Sequence, residues 1–336
     1  MTVREVAKRA GVSPATVSRY FTGAENVSEP IAAKIREVLG EEEQAERGKN
    51  GPIVLVVPQK RMAFYTELMQ RFMEHMPLYD FQIILLPVSR MEAGQLKQML
   101  TRVRAQGLIL FEEDGDFPIH ELAHKMGIPV VLCGEASVSM QSGAYIHVND
   151  VAAAYEGTKY LLSLGHKKIV FFTNYGVGIN ASYQRMIGCA RAMEEAGLSF
   201  AEPYVRYGTL IYENGYRYAQ ELVREKLDFT AIFAFSDEMA CGAVRGLQDL
   251  GVRVPEEVSV LGFDDLPVAE QLRPQLTTMH QPLDDFVRCT VEFFRKGNMV
   301  EVSREIMLPH SMIVRGSCLA REEKENEKGS CEENLF

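Results

Sequence analysis

From Pro52 onward the chain repeats one pattern. A short run of β-branched, aliphatic and aromatic residues is followed by a helical stretch, at a spacing of about 25 residues. The apolar runs are Ile53–Val57, Phe81–Leu86, Leu108–Phe111, Val130–Cys133, Ile169–Phe172, Ala231–Phe235 and Val258–Phe263. Helical periodicity appears between them at Thr66–Met76, Ala153–Leu164, Arg185–Ala196 and Glu238–Leu250. Connections of that length cannot be hairpin turns; they cross over a sheet and set its strands parallel. Seven or more strands in two clusters predict an α/β core of two lobes with a cleft between them. In such sheets ligands bind beyond the carboxyl ends of the strands.

The first forty residues read differently. Thr2-Val3-Arg4-Glu5 has the spacing of a capping box, and Val3, Val6, Ala7 and Ala10 form one apolar stripe. Gly11 stands where a left-handed helix stop is needed. Ser13-Pro14 restarts a helix with a hydroxyl N-cap and proline at its first position. That helix is predicted to run to Phe21 with Val17 and Phe21 inward, ending at Thr22-Gly23. A third starts at Ser28, buries Ile31, Ile35, Val38 and Leu39, and stops at Gly40. This is an all-α helix-turn-helix. Pro14, Ala15, Thr16, Ser18 and Arg19 fall on the outer side of the second helix. Hydroxyls there suit phosphate or base edges, and an arginine can take the guanine O6/N7 pair. The net charge of −10 excludes a chain that is basic throughout, yet residues 1–23 hold Arg4, Lys8, Arg9 and Arg19 against Glu5 alone. A three-helix bundle with a merely solvated polar face is the competing reading.

The N-terminus shows no secretory signal, no apolar run is long enough to span a bilayer, and the six cysteines form no CxxC pair. A cytoplasmic protein with reduced thiols and no membrane association is expected. The segment 41–51 reads as a polar tether, and 319–336, with six glutamates, as an acidic disordered tail.

In the expected cleft, Asp264 ends the strand Val258–Phe263, where a carboxylate accepts ligand hydroxyls. Arg185 follows the loop Asn174–Ser182. Phe64 and Tyr65 begin a helix and offer aromatic faces, with core packing as the alternative. For Arg185 and Asp264 the alternative is an ion pair at the surface or between lobes.

Glu5-Val-Ala-Lys-Arg-Ala-Gly-Val-Ser-Pro-Ala-Thr-Val-Ser-Arg-Tyr20, followed by Asn26-Val-Ser28, resembles the headpiece of the lactose/galactose repressor family of bacterial regulators. Further stretches resemble the rest of that family: Leu164-Gly-His-Lys-Lys-Ile169, Ala231–Ala240, Val252–Asp265 and Leu276–Pro282. The resemblance covers about residues 2–317 and implies a core of periplasmic-binding-protein type I fold. It implies a headpiece at 1–40 and an effector-binding and dimerisation domain at 52–318. The N-lobe is expected at about 52–165 plus 283–310, and the C-lobe at about 166–282 plus 311–318. It implies base readout at Pro14, Ala15 and Arg19 and backbone contact at Thr16, Ser18 and Asn26, with Thr2, Ser13 and Thr22 counted among the DNA contacts. It implies effector contacts at Phe64, Arg185, Ser236, Asp264 and Gln281, to which Tyr65 and Asp150 are added. The expected partners are a double-stranded DNA operator, a sugar-like small molecule and a second copy of the chain, giving a repressor; a protein partner in place of the small molecule is the alternative.

Three departures stand out. The tether lacks the leucine with which family members wedge the minor groove. The usual Asn-Pro before the aromatic pair is Met62-Ala63, and the usual Asn at 236 is Ser236.

One motif speaks for an enzyme. His120-Glu121-Leu-Ala-His124 is HExxH, two zinc ligands and a general base if set on a helix. The next position of the longer pattern is Val130 and not histidine, Gly127 is explained as a helix stop, and Glu135 is the sole nearby third ligand. No catalytic residue, metal or cofactor is therefore assigned.

Overall fold

The computed structural model describes residues 3–21, 27–38 except 29, 33 and 36, 51–57, 62–87, 91–111, 118–134, 143–174, 180–200, 203–295 and 303–321. Thr2, Thr22, Asn26 and Leu39 lie outside them, as do the tether 41–50 and residues 322–336.

Helices α1 (Val3–Ala10) and α2 (Pro14–Phe21) are joined by a tight turn, with α3 helical at 30–32, 34–35 and 37–38. Gly11 adopts φ 63°, and the Val12 amide closes onto the Ala7 carbonyl at 2.9 Å. The Ser13 hydroxyl accepts from the Thr16 amide at 3.1 Å, the N-cap bond its position predicts. Val6, Ala7, Ala10, Val17, Ile35 and Val38 make one small apolar core.

The core of the chain is two six-stranded sheets. The first contains β1 (Ile53–Val57), β2 (Ile83–Pro87), β3 (Gly107–Leu110), β4 (Val130–Cys133), β5 (Gly143–Val148) and β11 (Ser303–Leu308), in the order β11-β5-β4-β3-β1-β2, all parallel. The second contains β6 (Ile169–Thr173), β7 (Val205–Tyr207), β8 (Ala231–Ala234), β9 (Ser259–Asp264), β10 (Thr277–His280) and β12 (Ser311–Ile313), in the order β12-β10-β9-β8-β6-β7, with only β12 antiparallel. Both orders reverse direction after their first strand, and that reversal opens a crevice at the carboxyl ends. Each sheet is hydrophobic on both faces because helices cover both. In the second, Phe171, Phe172, Phe233, Phe235 and Phe263 are fully buried, and truncating any one to alanine should cost about 3–5 kcal/mol.

Helices α4 (Ala63–His75), α5 (Ala93–Val103), α6 (Ile119–Lys125) and α12 (Leu283–Arg295) belong to the first lobe, with a short 3-10 turn at Met76–Tyr79. Helices α7 (Asp150–Ser163), α8 (Ala181–Glu195), α9 (Tyr212–Arg224) and α10 (Asp237–Asp249) pack in the second, and α11 (Pro267–Gln271) borders both. In α9 and α10, Gly215 lies against the Met239 carbonyl and Gly242 against the Tyr212 carbonyl. A methyl group at either would fall inside the neighbouring oxygen, so this helix pair requires both glycines.

The chain crosses between lobes at 148–150, 280–283 and 308–311. The first crossing corrects the expected boundary at 165. Ala153, Ala154 and Leu161 of α7 are buried in the second lobe's core, so the lobe changes before α7 and not after it. The tail also begins later than expected. Leu319 donates its amide to the Ser259 hydroxyl at 3.0 Å and accepts from His166 Nε2 at 3.1 Å, while the Arg321 amide bonds the Leu164 carbonyl at 2.8 Å. Residues 319–321 are therefore tied to the lobe. Burial holds His166 down at about 4, so its ring is neutral, taking the Thr230 hydroxyl on Nδ1. Cys133, Cys189 and Cys241 are buried thiols pushed up to about 12, chemically quiet core residues.

Candidate functional site

On the headpiece, Ser13, Pro14, Ala15, Ser18 and Arg19 are exposed and Thr16 half-buried, while Val17 between them is fully enclosed. The Ser13 and Thr16 hydroxyls bond one another at 2.8 Å, closing the first turn. Arg4, Lys8 and Arg9 are exposed on α1, so the surface beside the turn is cationic. Thr2, Thr22 and Asn26 fall outside the described residues.

Between the lobes lies a narrow cavity of about 40 Å³. Met62, Phe64 and Tyr65 at the start of α4 and Gly134 after β4 come from the first lobe. Asn174 after β6, Ala181, Ser182 and Arg185 on α8, Leu210, Phe235 after β8 and Asp264 at the end of β9 come from the second. Gln281 comes from a crossing segment. Strand ends on both sides converge there because both sheets point their carboxyl ends inward.

Arg185 is the centre of the wall. Its Nε donates to Asp150 Oδ1 at 2.7 Å and its Nη1 to the Phe235 carbonyl at 2.6 Å, and its guanidinium stacks 3.5 Å from the Phe263 ring centroid. Asp150 is the first residue of α7, just after the first crossing. Burial pushes its carboxyl up, against the pull of Arg185. Asp264 takes the Gln281 side-chain amide on Oδ1 at 2.8 Å, and the Gln281 backbone amide bonds the Asp264 carbonyl at 3.1 Å. Burial raises Asp264 to about 7, opposed by Arg185 and Gln281. Its backbone has φ 123° and that of Asp265 φ 62°, a left-handed corner that turns the carboxylate into the cleft.

Phe64, Tyr65, Arg185, Asp264 and Gln281 of the expected effector set thus come together on one cavity. Phe64 packs edge-on against Tyr65 and Phe286, and Tyr65 stacks on Phe111 at 5.5 Å, so both aromatics are core residues that also face the cavity. Asp150 and Ser236 stand behind the lining. Asp150 holds Arg185; Ser236 caps α10, accepting from the Met239 amide and donating to the Leu210 carbonyl, both at 3.1 Å.

The sequence reading missed Asp237, fully buried beside Asp264, which accepts the Leu266 amide at 2.8 Å and the Thr278 hydroxyl. Burial first, and the Asp264 charge second, push it well above its ordinary value. It also missed Asn174 and Ser182, which sit on either side of a loop that carries no motif. It missed Glu238, whose carboxylate accepts the Ala63 amide across the cleft at 3.2 Å and so caps α4 from the opposite lobe. Proline at 63 would have no such amide.

His120, Glu121 and His124 do lie on one helix, α6, but Glu121 pairs outward with Lys125 at 3.5 Å, and Gly127 has φ 66°, the expected stop. No group of three or more metal-ligating side chains occurs among the described residues, which exclude Glu135. No helix among them is long and apolar enough to cross a membrane.

A helix-turn-helix ahead of a two-lobed binding fold defines a DNA-binding regulator. Residues 2–43 match the bacterial regulatory proteins of the lacI family, and residues 158–318 match the periplasmic binding protein-like domain. The chain belongs to the lacI family of transcriptional regulators. It is 29% identical over 332 residues to catabolite control protein A of Priestia megaterium, covering 94% of this chain and 99% of that protein. It is 29% identical over 292 residues to the transcriptional repressor PurR of Vibrio vulnificus, covering 84% and 87%. The solved complex of the transcriptional regulator CelR with cellobiose superposes with a TM-score of 0.69 at 26% identity, over 94% of this chain and 99% of that one. These relatives are regulators and not enzymes, which sets aside the zinc-hydrolase reading.

Proposed function

We propose that the chain is a cytoplasmic, homodimeric repressor whose affinity for a near-palindromic operator is set by a small molecule bound between its lobes. Arg19 reads a base edge, Pro14 and Ala15 touch base methyls, and Ser13, Thr16 and Ser18, with Thr2, Thr22 and Asn26, hold the backbone. One headpiece has too few contacts for a specific site, so two act on two half-sites. Phe64, Tyr65, Arg185, Asp264 and Gln281 contact the effector, with Asp150 and Ser236 supporting the wall.

The carrying observation is that the cavity is built by both lobes and by the segments that join them. Asp150 and Gln281 lie on two of the three crossings. A cavity of about 40 Å³ is far smaller than a typical ligand pocket of roughly 300–1,000 Å³. Ligand entry therefore parts the lobes and is coupled to their arrangement. The relatives point the same way, since one solved neighbour is a cellobiose complex.

The test is fluorescence anisotropy of selected duplexes with the full chain, with and without candidate sugars, nucleobases and sugar phosphates. Duplex preference over random competitor that a ligand changes supports the reading. Absence of any duplex preference overturns it, and preference that no small molecule alters favours a protein partner.

A further inference from the structure

The chemistry left unmatched in the cleft is one-sided. Asp264 is 3% exposed, lines the cavity, and has no cationic nitrogen within 4.0 Å among the described residues. Gln281 and the Asp237 backbone amide are its donors, and both are neutral. The guanidinium in the lining is already committed to Asp150, the Phe235 carbonyl and the Phe263 ring. Asp237 adds a second buried carboxylate behind Asp264, again with no ion-pair partner among the described residues. Three buried aspartates thus share one arginine.

A second, independent observation concerns hydrogen bonding. Asn174 Oδ1, on the cavity wall, and Asp150 Oδ2, behind it on a side chain 1% exposed, are buried acceptors with no donor among the described residues. Of the two, Asn174 Oδ1 lies on the cavity wall, where it takes a donor from a ligand. Phe64, Tyr65 and Phe235 complete the wall with aromatic surface, which attracts cations and repels anions at its faces. Hydroxyls satisfy acceptors, but only a cation also pairs with Asp264 in its ionised form. A phosphate or carboxylate would meet Asp264 directly, with no uncommitted guanidinium among the described lining residues to receive it.

We propose that the ligand of this cleft is a polyol carrying a protonated amine, an amino sugar in chemical class, with its ammonium set against Asp264. This rests on the reading of the cleft as the effector site. The N–H donors of the ammonium meet Asp264 and Asn174, and its charge holds the Asp264 carboxyl in the ionised form.

The test is isothermal titration calorimetry of the full chain against matched sets built on glucose, galactose and mannose. Each set holds the parent hexose, its 2-amino-2-deoxy form, the N-acetyl derivative and the 6-phosphate. In the set that binds, the free amine is expected to bind at least about tenfold tighter than the parent. N-acetylation should cancel that advantage on the unaltered protein, and the 6-phosphate should bind weakest. Asp264→Asn, which keeps the size and shape of the side chain, should also cancel it; the N-acetyl comparison does not depend on that variant folding. A parent hexose or phosphate that equals the amine overturns this inference and leaves the effector cleft standing. Binding by no member of any set also overturns this inference, while the effector cleft stands or falls by the anisotropy test with the wider set of small molecules.

Discussion

Arg19 is the one residue of α2 whose side chain offers a planar fork to a base edge. Its neighbours Pro14 and Ala15 offer none. Arg19→Ala should cost about 1–3 kcal/mol on the preferred duplex and little on random sequence, read as the ratio of the two dissociation constants. Unchanged discrimination would remove Arg19 from the reading face. Arg185 carries a different load: deleting it leaves Asp150 buried with no counter-charge. Arg185→Met should lower unfolding stability in urea by about 3–5 kcal/mol, and a loss below 1 kcal/mol would show the pair to be unimportant. Asp264 makes stability depend on pH. Its folded value of about 7 lies above the ordinary 3.8, so the folded chain holds the proton more tightly than the unfolded one. Its contribution is complete below 3.8 and is lost as pH rises to about 7. His166, held at about 4 against an ordinary 6.5, acts oppositely, losing stability as pH falls through that window. Above pH 6.5 the slope comes from Asp264 and from Asp237, which its neighbour's charge helps to raise, so Asp264→Asn should reduce the fall in stability between pH 6.5 and 8. An unaltered slope would contradict the assignment.

At the scale of elements, α4 is held at its N-terminus by Glu238 of the other lobe, through the amide of Ala63. Ala63→Pro tests that link cleanly. Proline suits the first position of a helix, so α4 should persist while the bridge between lobes is lost. Loss of a charge-assisted bond is worth about 1.5–3 kcal/mol. The closed arrangement should weaken accordingly, seen as faster amide exchange along α4 with an unchanged far-ultraviolet spectrum. Exchange equal to the parent would mean that the bridge does not bias the lobes. The same scale explains which elements were legible. Runs such as Ile53–Val57 and Val130–Cys133 are continuous apolar strands, and their sequence pattern alone marks both ends. Phe81 was expected to open a strand, but it packs on Phe294 and β2 starts at Ile83. β7 has three residues, and β10 begins with two threonines, too little apolar pattern for either to be read.

For the whole molecule, coupling between the binding cleft and the headpiece has to pass through the segment that joins them. The tether between them has glutamates at 41–43 and no leucine. Without a wedge to unstack a base step, the operator should stay nearly straight. Circular-permutation electrophoresis should show no sharp central bend, and a kink like that of a minor-groove wedge would refute this. Affinity should then rest on phosphate contacts and fall steeply as salt rises.

The sequence by itself settled what is local and periodic. Caps, a glycine stop and a 3.6-residue stripe define the headpiece, and strand–helix alternation defines two parallel sheets, because such patterns are written in neighbouring residues. It also pointed to Asp264 and Arg185 as cleft residues. Only the tertiary structure decided what those side chains face. Asp150, Phe235 and Phe263 meet Arg185 from three separate elements, Asp237 stands behind Asp264, and Glu238 reaches Ala63 from 175 residues away. Charge balance in a buried cleft depends on distances between residues remote in the chain, and no pattern of neighbours contains them.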